Sequence, residues 1–427
     1  MIAPDVSGWR APANASLATP GIDRPLKILH VATLNKPITP HLGYGPIEAV
    51  IGNIHKGLTA LGHHSIVACS ADSIVAGRTH TTVARSLGDY CRGGTPDAQA
   101  TVALHLSKAL ARATMGDIDI VHMHEWLEHV DDGSFNPLLP IVMTLHVPAS
   151  DSGFARRAPM TLMPAAIHFA AISDYQRRQY ADLVPIAKIV PHGLDLAGYP
   201  FQDNVDAASY LFSIARITRV KGQDTAIEVA RASGSKLILA GCVQDKPDDR
   251  VFFEEMKRRV DLVVDVGRHP VDDAYYDKVM KPILSCDRQI IYIGEVDTEA
   301  KKHWYRHAKA TVFPVRWGEP FGMVLIESMA CGTPIIAFGE GAVPEIVTHG
   351  ATGFVVASRA DMIAAVALVQ QIDRGACRAD VAARFSIERM SARYASLYRS
   401  LARNRPYRGT QPFLGLPRAT GSGVSAS

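Results

Sequence analysis

The sequence has no long apolar run: nothing in its 427 residues approaches the roughly 20 consecutive apolar positions that a membrane-spanning helix needs. It also lacks a cysteine framework. Cys69, Cys91, Cys242, Cys286, Cys331 and Cys377 stand far apart with no Cys-x-x-Cys pair. They read as reduced thiols of a cytoplasmic protein, not as disulfides or a zinc site. Charge of one sign is scarce too. A net charge of +3 makes no demand for nucleic acid, although a modest basic excess suits an anionic ligand or an anionic membrane surface. The opening MIAPDVSGWRAPANASLATPG lacks the apolar core of a secretory signal and is expected to be a loose polar arm. The closing GLPRATGSGVSAS reads as a disordered tail. No Ser-His-Asp ordering and no glycine-flanked nucleophilic serine is visible, so the chain does not read as a serine hydrolase.

What is present is ordinary globular material. The 47% of hydrophobic and 20% of charged residues suffice for two cores, and the length corresponds to about two to three domains. Short apolar runs read as strands at Lys27–Leu34, Ser65–Ala68, Ile118–His124, Ile141–His146, Ala170–Ser173 and Lys188–Pro191. After the first run comes a Pro/Gly-rich loop, Asn35–Gly45. Pro46 then opens a helix that runs toward Leu61-Gly62. The pattern restarts beyond a polar break at Gly193–Ala207. Strands are expected at Tyr210–Ile214, Lys236–Ala240, Gln289–Ile293, Thr311–Pro314, Pro334–Phe338 and Gly353–Val356, with helices at Gln223–Ser233, Gly322–Ala330 and Ser386–Leu401. Alternating strands and helices imply parallel sheets covered on both faces, here two α/β units in tandem. Ligands in such units sit at the carboxyl ends of the strands. The charged segment Val243–Cys286 is expected to add helices.

Candidate chemistry concentrates in Gly318–Gly341, GEPFGMVLIESMACGTPIIAFGEG. Gly322–Ala330 is too short and apolar for a surface helix. Its N-terminal residues Phe321, Gly322, Met323 and Val324 present unpaired N–H groups that suit an anion or sugar hydroxyls. Glu319 precedes that terminus and Glu327 lies more than a turn inside, so roughly 12 Å could separate the two carboxylates at about 1.5 Å per residue. That suits a ligand with hydroxyls at both ends and a diphosphate between. A first-turn carboxylate and an ion-paired glutamate would fit equally. Arg216 and Lys221 follow the strand at Ile214, where two permanent cations match a diphosphate leaving group, or simply a solvated basic loop. Gly43 and Gly45 precede the first helix and let backbone approach a ligand, yet the third glycine of a dinucleotide fingerprint is missing. His146 ends a strand at the expected cleft and can hydrogen-bond a substrate hydroxyl or carry a proton, or be structural. His122 and His124 have the spacing of a metal pair with no third ligand in view, and Asp117-Ile-Asp119 reads as a turn, so no metal is expected.

Together these residues resemble the retaining GT-B glycosyltransferases of family four, from about Lys27 to Leu401. Glu319-Pro-Phe-Gly-Met-Val-Leu-Ile-Glu327-Ser-Met-Ala-Cys-Gly-Thr-Pro resembles that family's E-x7-E signature. Arg216 with Lys221, Thr144-x-His146, the Gly45 loop, Pro191-His-Gly-Leu-Asp195, Ile293-Gly-Glu-Val296 and the Phe385–Tyr394 region fit as well. Detail at Tyr44–Glu48 and Arg316-Trp317 is similar to the avilamycin-type branch. The resemblance implies two Rossmann-like domains facing a cleft: an acceptor domain over 26–200 with a helix over 386–403 crossing back to it, and a nucleotide-sugar donor domain over 201–385. Arms at 1–25 and 404–427 would flank them.

By the same resemblance, Arg216 and Lys221 hold the donor diphosphate and Glu327 the ribose. Glu319 and the backbone of Phe321 to Val324 hold the donor sugar, His146 meets the sugar or reacting centre, and Gly45 and Val296 complete the donor site. The implied activity is transfer of a hexosyl unit from a UDP- or GDP-linked sugar, with retention and without a metal, to a glycan, lipid-linked saccharide or small natural product. A nucleotide-sugar 2-epimerase or a non-catalytic sugar-nucleotide binder on the same fold are the alternatives. The protein is expected in the cytoplasm, where Ser152–Ala171 reads as a cleft-lining loop and buried helix, or as a segment that grazes the anionic inner membrane face. One departure is that Gly45-Pro-Ile-Glu48-Ala stands where the family often has Gly-Gly and a Glu-Arg pair.

Overall fold

The computed structural model describes residues 24–88, 96–125, 139–152, 167–206 and 209–403. The expected terminal arms therefore lie outside the described residues almost entirely, as does most of the Ser152–Ala171 segment. Among the described residues, fourteen strands form two seven-stranded sheets. The first contains β1 (Lys27–Val31), β2 (His64–Ser70), β3 (Arg78–Val83), β4 (Ile120–Met123), β5 (Ile141–Thr144), β6 (Ile167–Ala171) and β7 (Ile186–Ile189). The second contains β8 (Leu211–Ile214), β9 (Leu237–Ala240), β10 (Leu262–Val263), β11 (Ile290–Tyr292), β12 (Ala310–Phe313), β13 (Ile335–Phe338) and β14 (Gly353–Val356).

Their orders are β3-β2-β1-β4-β5-β6-β7 and β10-β11-β9-β8-β12-β13-β14, and every named pairing is parallel. The central strands read as continuous apolar runs because both faces are covered, with β4, β5, β9, β12 and β13 buried along their whole length. Two of the four edge strands, β3 and β10, escape sequence reading. β3 is RTHTTV, exposed over its first half and with little apolar signal, and β10 is apolar but only two residues long, LV, inside a charged segment. The Pro96–Ala113 helix, which follows β3, was likewise not foreseen. The Val243–Cys286 segment supplies the expected helices at Pro247–Lys257 and Lys281–Ser285, plus the β10 edge.

Each sheet has a core on both faces. One face of the first packs Val50, Ile54 and Leu58 from the Pro46–Ala60 helix against Met390, Tyr394 and Tyr398 from the Ile387–Arg403 helix. The last helix therefore leaves the second sheet's neighbourhood and closes the first sheet. Its two tyrosine hydroxyls do not go unpartnered there: Tyr394 meets Thr144 at 2.8 Å and Tyr398 meets His122 at 2.7 Å. Among the described residues no helix is long and apolar enough to cross a membrane.

The strand orders also locate the site. Sequence direction reverses between β1 and β4 in one sheet and between β8 and β12 in the other. At such switch points the loops leaving neighbouring strands part and open a crevice. The Gly45 loop follows β1, Arg216 and Lys221 follow β8, and Glu319 follows β12.

Candidate active site

Beyond β8 the chain forms a one-turn 3-10 helix, Arg219–Lys221, closed by Gly222 in the left-handed region. This turn sorts the three cations. Arg219 points outward to Glu255 at 2.7 Å and over the ring of Phe252. Lys221 turns inward to Glu319 with Nζ–Oε2 of 2.5 Å, and its ammonium lies 4.6 Å from the Trp317 ring. Both partners of that pair are mostly buried, at 13% and 15% exposure. Arg216 donates Nη1–H to Gln244 Oε1 at 2.5 Å, while its Nε has no partner among the described residues. A guanidinium held on one edge with an unpaired buried N–H is poised for an anion.

The stretch from Gly318 to Gly341 folds back on itself. Gly322, with φ of 95°, turns the chain into the Met323–Ala330 helix. Gly341, at φ 62°, lies against the backbone of Glu319, where a Cβ would sit 2.4 Å from its carbonyl oxygen. Ala342 N–H donates to that same carbonyl at 2.9 Å. Glu319 is thus fixed by backbone packing and by Lys221 together. Glu327, one side chain deeper, accepts from Lys301 at 2.7 Å and from the Tyr305 hydroxyl at 3.2 Å. Its carboxylate is only 7% exposed. The two glutamates therefore hold different cations, Glu319 Lys221 and Glu327 Lys301. Lys301 and Tyr305 were missed from sequence, since their helix (Thr298–His307) reads as ordinary amphipathic sequence and only tertiary packing aims it at Glu327.

The first unit reaches across directly. Tyr44 N–H donates to Glu295 Oε1 at 2.8 Å, and Thr298 donates both N–H and Oγ1–H to the Leu42 carbonyl, at 3.0 and 2.8 Å. Burial pushes the Tyr44 hydroxyl up to about 12, with Arg216 working against that rise and Glu319 adding to it. The Gly45 loop therefore places a protonated tyrosine within electrostatic reach of Arg216 and Glu319. Gly45 itself begins the helix in extended backbone, and a Cβ there would meet Leu42 Cδ2 at 2.2 Å and Glu48 Oε2 at 3.2 Å. Glu48 is fully buried and accepts from Thr33 at 2.8 Å. Beside this loop, Gly241, Cys242, Val264, Asp265, Tyr292 and Glu295 line an open cavity of about 540 Å³. Val296 turns its side chain into the core next to it.

His146 follows β5 and faces a line of imidazoles. Its Nε2 lies 3.0 Å from His124 Nδ1, and its ring stacks on His192, which meets Phe321 edge-on at 5.0 Å between centroids. Burial pushes His146 down to about 3, so it is neutral at physiological pH. Hydrogen bonding is open to it. Storage of a proton, the other role expected of a histidine there, is not favoured by its surroundings. His122 and His124 do gain a third neighbour that spacing could not reveal: His30, on the adjacent strand β1. Across the cleft, Ser173 Oγ–H donates to the Pro320 carbonyl at 2.6 Å, and Glu345 accepts from the backbone of Asp174 and Tyr175 at 2.8 and 2.6 Å. Sequence reading found neither contact.

Both units of the chain match known families. Residues 47–197 match the family described as Glycosyltransferase Family 4, and residues 201–376 match Glycosyl transferases group 1. The chain is similar to a D-inositol 3-phosphate glycosyltransferase of Kribbella flavida, 25% identical over 406 residues, covering 82% of this chain and 89% of the relative. Its fold resembles a crystal structure of a glycosyltransferase involved in avilamycin A biosynthesis, with a TM-score of 0.63, 20% identity, and 89% and 99% of the two chains covered. It also resembles an Anabaena protein solved with UDP-glucose, with a TM-score of 0.58, 15% identity, and 88% and 100% covered. The two parallel sheets are those of a GT-B fold, and with a Family 4 domain followed by a group 1 domain the chain is a glycosyltransferase.

Proposed function

We propose that this enzyme transfers a hexosyl unit from a nucleoside-diphosphate sugar to an acceptor hydroxyl with retention of anomeric configuration. The observation that carries the reading is the half-paired, partly buried Arg216 guanidinium, with its Nε shielded and unpartnered among the described residues, beside the mostly buried Lys221–Glu319 pair at the β8/β12 switch point. The residues of 201–385 form the donor side. Those of 26–200, with the crossing helix, form the acceptor side.

The donor diphosphate receives charge-assisted hydrogen bonds from the free edge of Arg216 and from Lys221. As the glycosyl–oxygen bond lengthens, negative charge grows on the departing phosphate, and these fixed cations stabilise it with little reorganisation. On this reading the pair takes the part a divalent metal would otherwise play, and no metal is required for departure. When the diphosphate takes Lys221, Glu319 is released toward sugar hydroxyls, which the backbone N–H groups of Phe321 to Val324 also meet. Glu327, held by Lys301 and Tyr305, accepts from the ribose hydroxyls. Neutral His146 hydrogen-bonds the sugar or reacting centre. The acceptor attacks from the face the diphosphate leaves, with a donor phosphate oxygen taking its proton. The Tyr44–Glu295 and Thr298–Leu42 contacts hold the Gly45 loop over the site and exclude water, which limits hydrolysis.

A UDP-linked donor finds support in the Anabaena relative's complex, and a polyol or glycan acceptor in the inositol-phosphate enzyme. Membership of the avilamycin-type branch belongs to the same proposal. The test is thermal unfolding with UDP-, GDP-, ADP- and dTDP-sugars, since a ligand of the folded state raises its melting temperature. One base class stabilises the wild type, and Arg216→Ala loses that shift and about 10²–10³ of turnover while melting normally without ligand. An equal ligand shift and near-wild-type turnover in Arg216→Ala would overturn the assignment.

A further inference from the structure

The histidines beneath the first sheet's switch point are not accounted for by donor chemistry. His30 on β1 and His122 and His124 at the end of β4 are all buried, at 0%, 0% and 5% exposure. One ring nitrogen from each can be chosen so that all three lie within 4.8 Å of one another. Both nitrogens of His30 and Nε2 of His124 have no hydrogen-bond partner among the described residues. Buried polar atoms in native proteins are rarely left so, and those that are call for an ion, a water or a functional role. A structural packing role does not account for them, since an apolar side chain of similar shape would fill the His30 position without stranding a donor and an acceptor.

We propose that His30, His122 and His124 form a binding site for a borderline divalent transition metal such as Zn²⁺, Co²⁺ or Ni²⁺. Neutral imidazoles suit that class of ion, and three of them leave a fourth position for water. Burial keeps the rings unprotonated: His30 is pushed down to about 3, and His122 and His124 well below the usual range. Supporting hydrogen bonds of the kind that orient metal ligands are also in place. His124 Nδ1 meets His146 at 3.0 Å, and His122 meets Thr144 and Tyr398, each at 2.7 Å. His30 and His124 offer unpartnered nitrogens directly, whereas His122 exchanges one of its hydroxyl partners for the ion. Metal–nitrogen bonds of about 2.0–2.1 Å set nitrogens roughly 3.4 Å apart in a tetrahedral site, so the widest pair closes by at most about 1.4 Å through ring rotation. The ion would tie β1 to β4 and, through His124, fix the orientation of His146. The site uses neither Arg216 nor Lys221 and does not depend on which donor is used.

The test uses untagged full-length protein, stripped with chelator and titrated with Co²⁺ while visible absorption and melting temperature are followed. One equivalent is expected to give the d–d absorption of a tetrahedral nitrogen/oxygen site and to raise the melting temperature, and Zn²⁺ displaces it. His30→Leu and His124→Gln, each checked by circular dichroism, lose the band and bind at least tenfold more weakly. Absence of the band in wild type overturns the proposal, and so does unchanged binding in whichever variant folds. A thiolate-to-cobalt charge-transfer band, which would put the ion on a cysteine, also overturns it.

Discussion

Removing Lys221 separates the two things its ion pair does. At 2.5 Å and an effective dielectric near 20, the attraction between Lys221 and Glu319 is about 7 kcal/mol before desolvation is subtracted. Breaking a fully buried pair costs about 3–5 kcal/mol because one charge is left uncompensated, and residual exposure of 13% and 15% lowers that to about 2–4 kcal/mol here. Lys221→Met should therefore lower unfolding free energy by that amount in urea melts, as should Glu319→Gln. The double variant, with no stranded charge, should return to within about 1 kcal/mol of wild type. Turnover should not follow stability. With the nucleotide sugar that stabilises the wild type, Lys221→Met and the double variant should both lose about 10²–10³ in kcat, because neither has the cation that meets the leaving phosphate. Two results would refute the reasoning. Additive stability losses would mean that the pair is not coupled. Wild-type kcat in the stable double variant would mean that Lys221 does not act on the diphosphate.

Other consequences follow from single contacts. Gly341→Ala puts a Cβ in the left-handed region 2.4 Å from the Glu319 carbonyl oxygen, and should cost clearly more in thermal unfolding than Gly350→Ala, which also sits at positive φ but in open space and carries only the backbone cost of about 1–2 kcal/mol. Glu345→Ala removes the carboxylate that caps Asp174 and Tyr175, so hydrogen exchange at those two amides should quicken roughly tenfold or more, and unchanged protection would show the cap to be idle. His105 is buried between Thr82 and the Ala32 carbonyl, and burial pushes it down to about 4 from an ordinary 6.5. The unfolded chain binds the proton more readily, so stability falls as pH drops from 6.5 toward 4, by roughly 3 kcal/mol in total from this residue. His105→Gln should flatten that part of the pH–stability curve, and a curve of unchanged slope would contradict the linkage.

Much of this protein was legible in order of residues alone. Buried parallel strands are short apolar runs wherever the sheet is covered on both faces, so the central strands of both sheets, the Gly/Pro boundaries of the Pro46–Ala60 helix and the short Met323–Ala330 helix could be read directly. So could the position of Arg216, Lys221 and Glu319 at strand ends, because chain direction and strand polarity are local properties. What lay beyond reach depended on pairings between distant residues. Strand β3 is polar enough to resemble a loop and β10 is only two residues long, and only their neighbours make them strands. That Lys221 faces Glu319 while Arg219 faces solvent is settled by one 3-10 turn. Lys301 and Tyr305 become partners of Glu327 only when two helices pack, and His30 joins His122 and His124 only because β1 and β4 lie side by side. Local periodicity reports which face of an element is apolar. Which polar groups then share a buried space is decided by the order in which strands pair, and that order exists only in the folded chain.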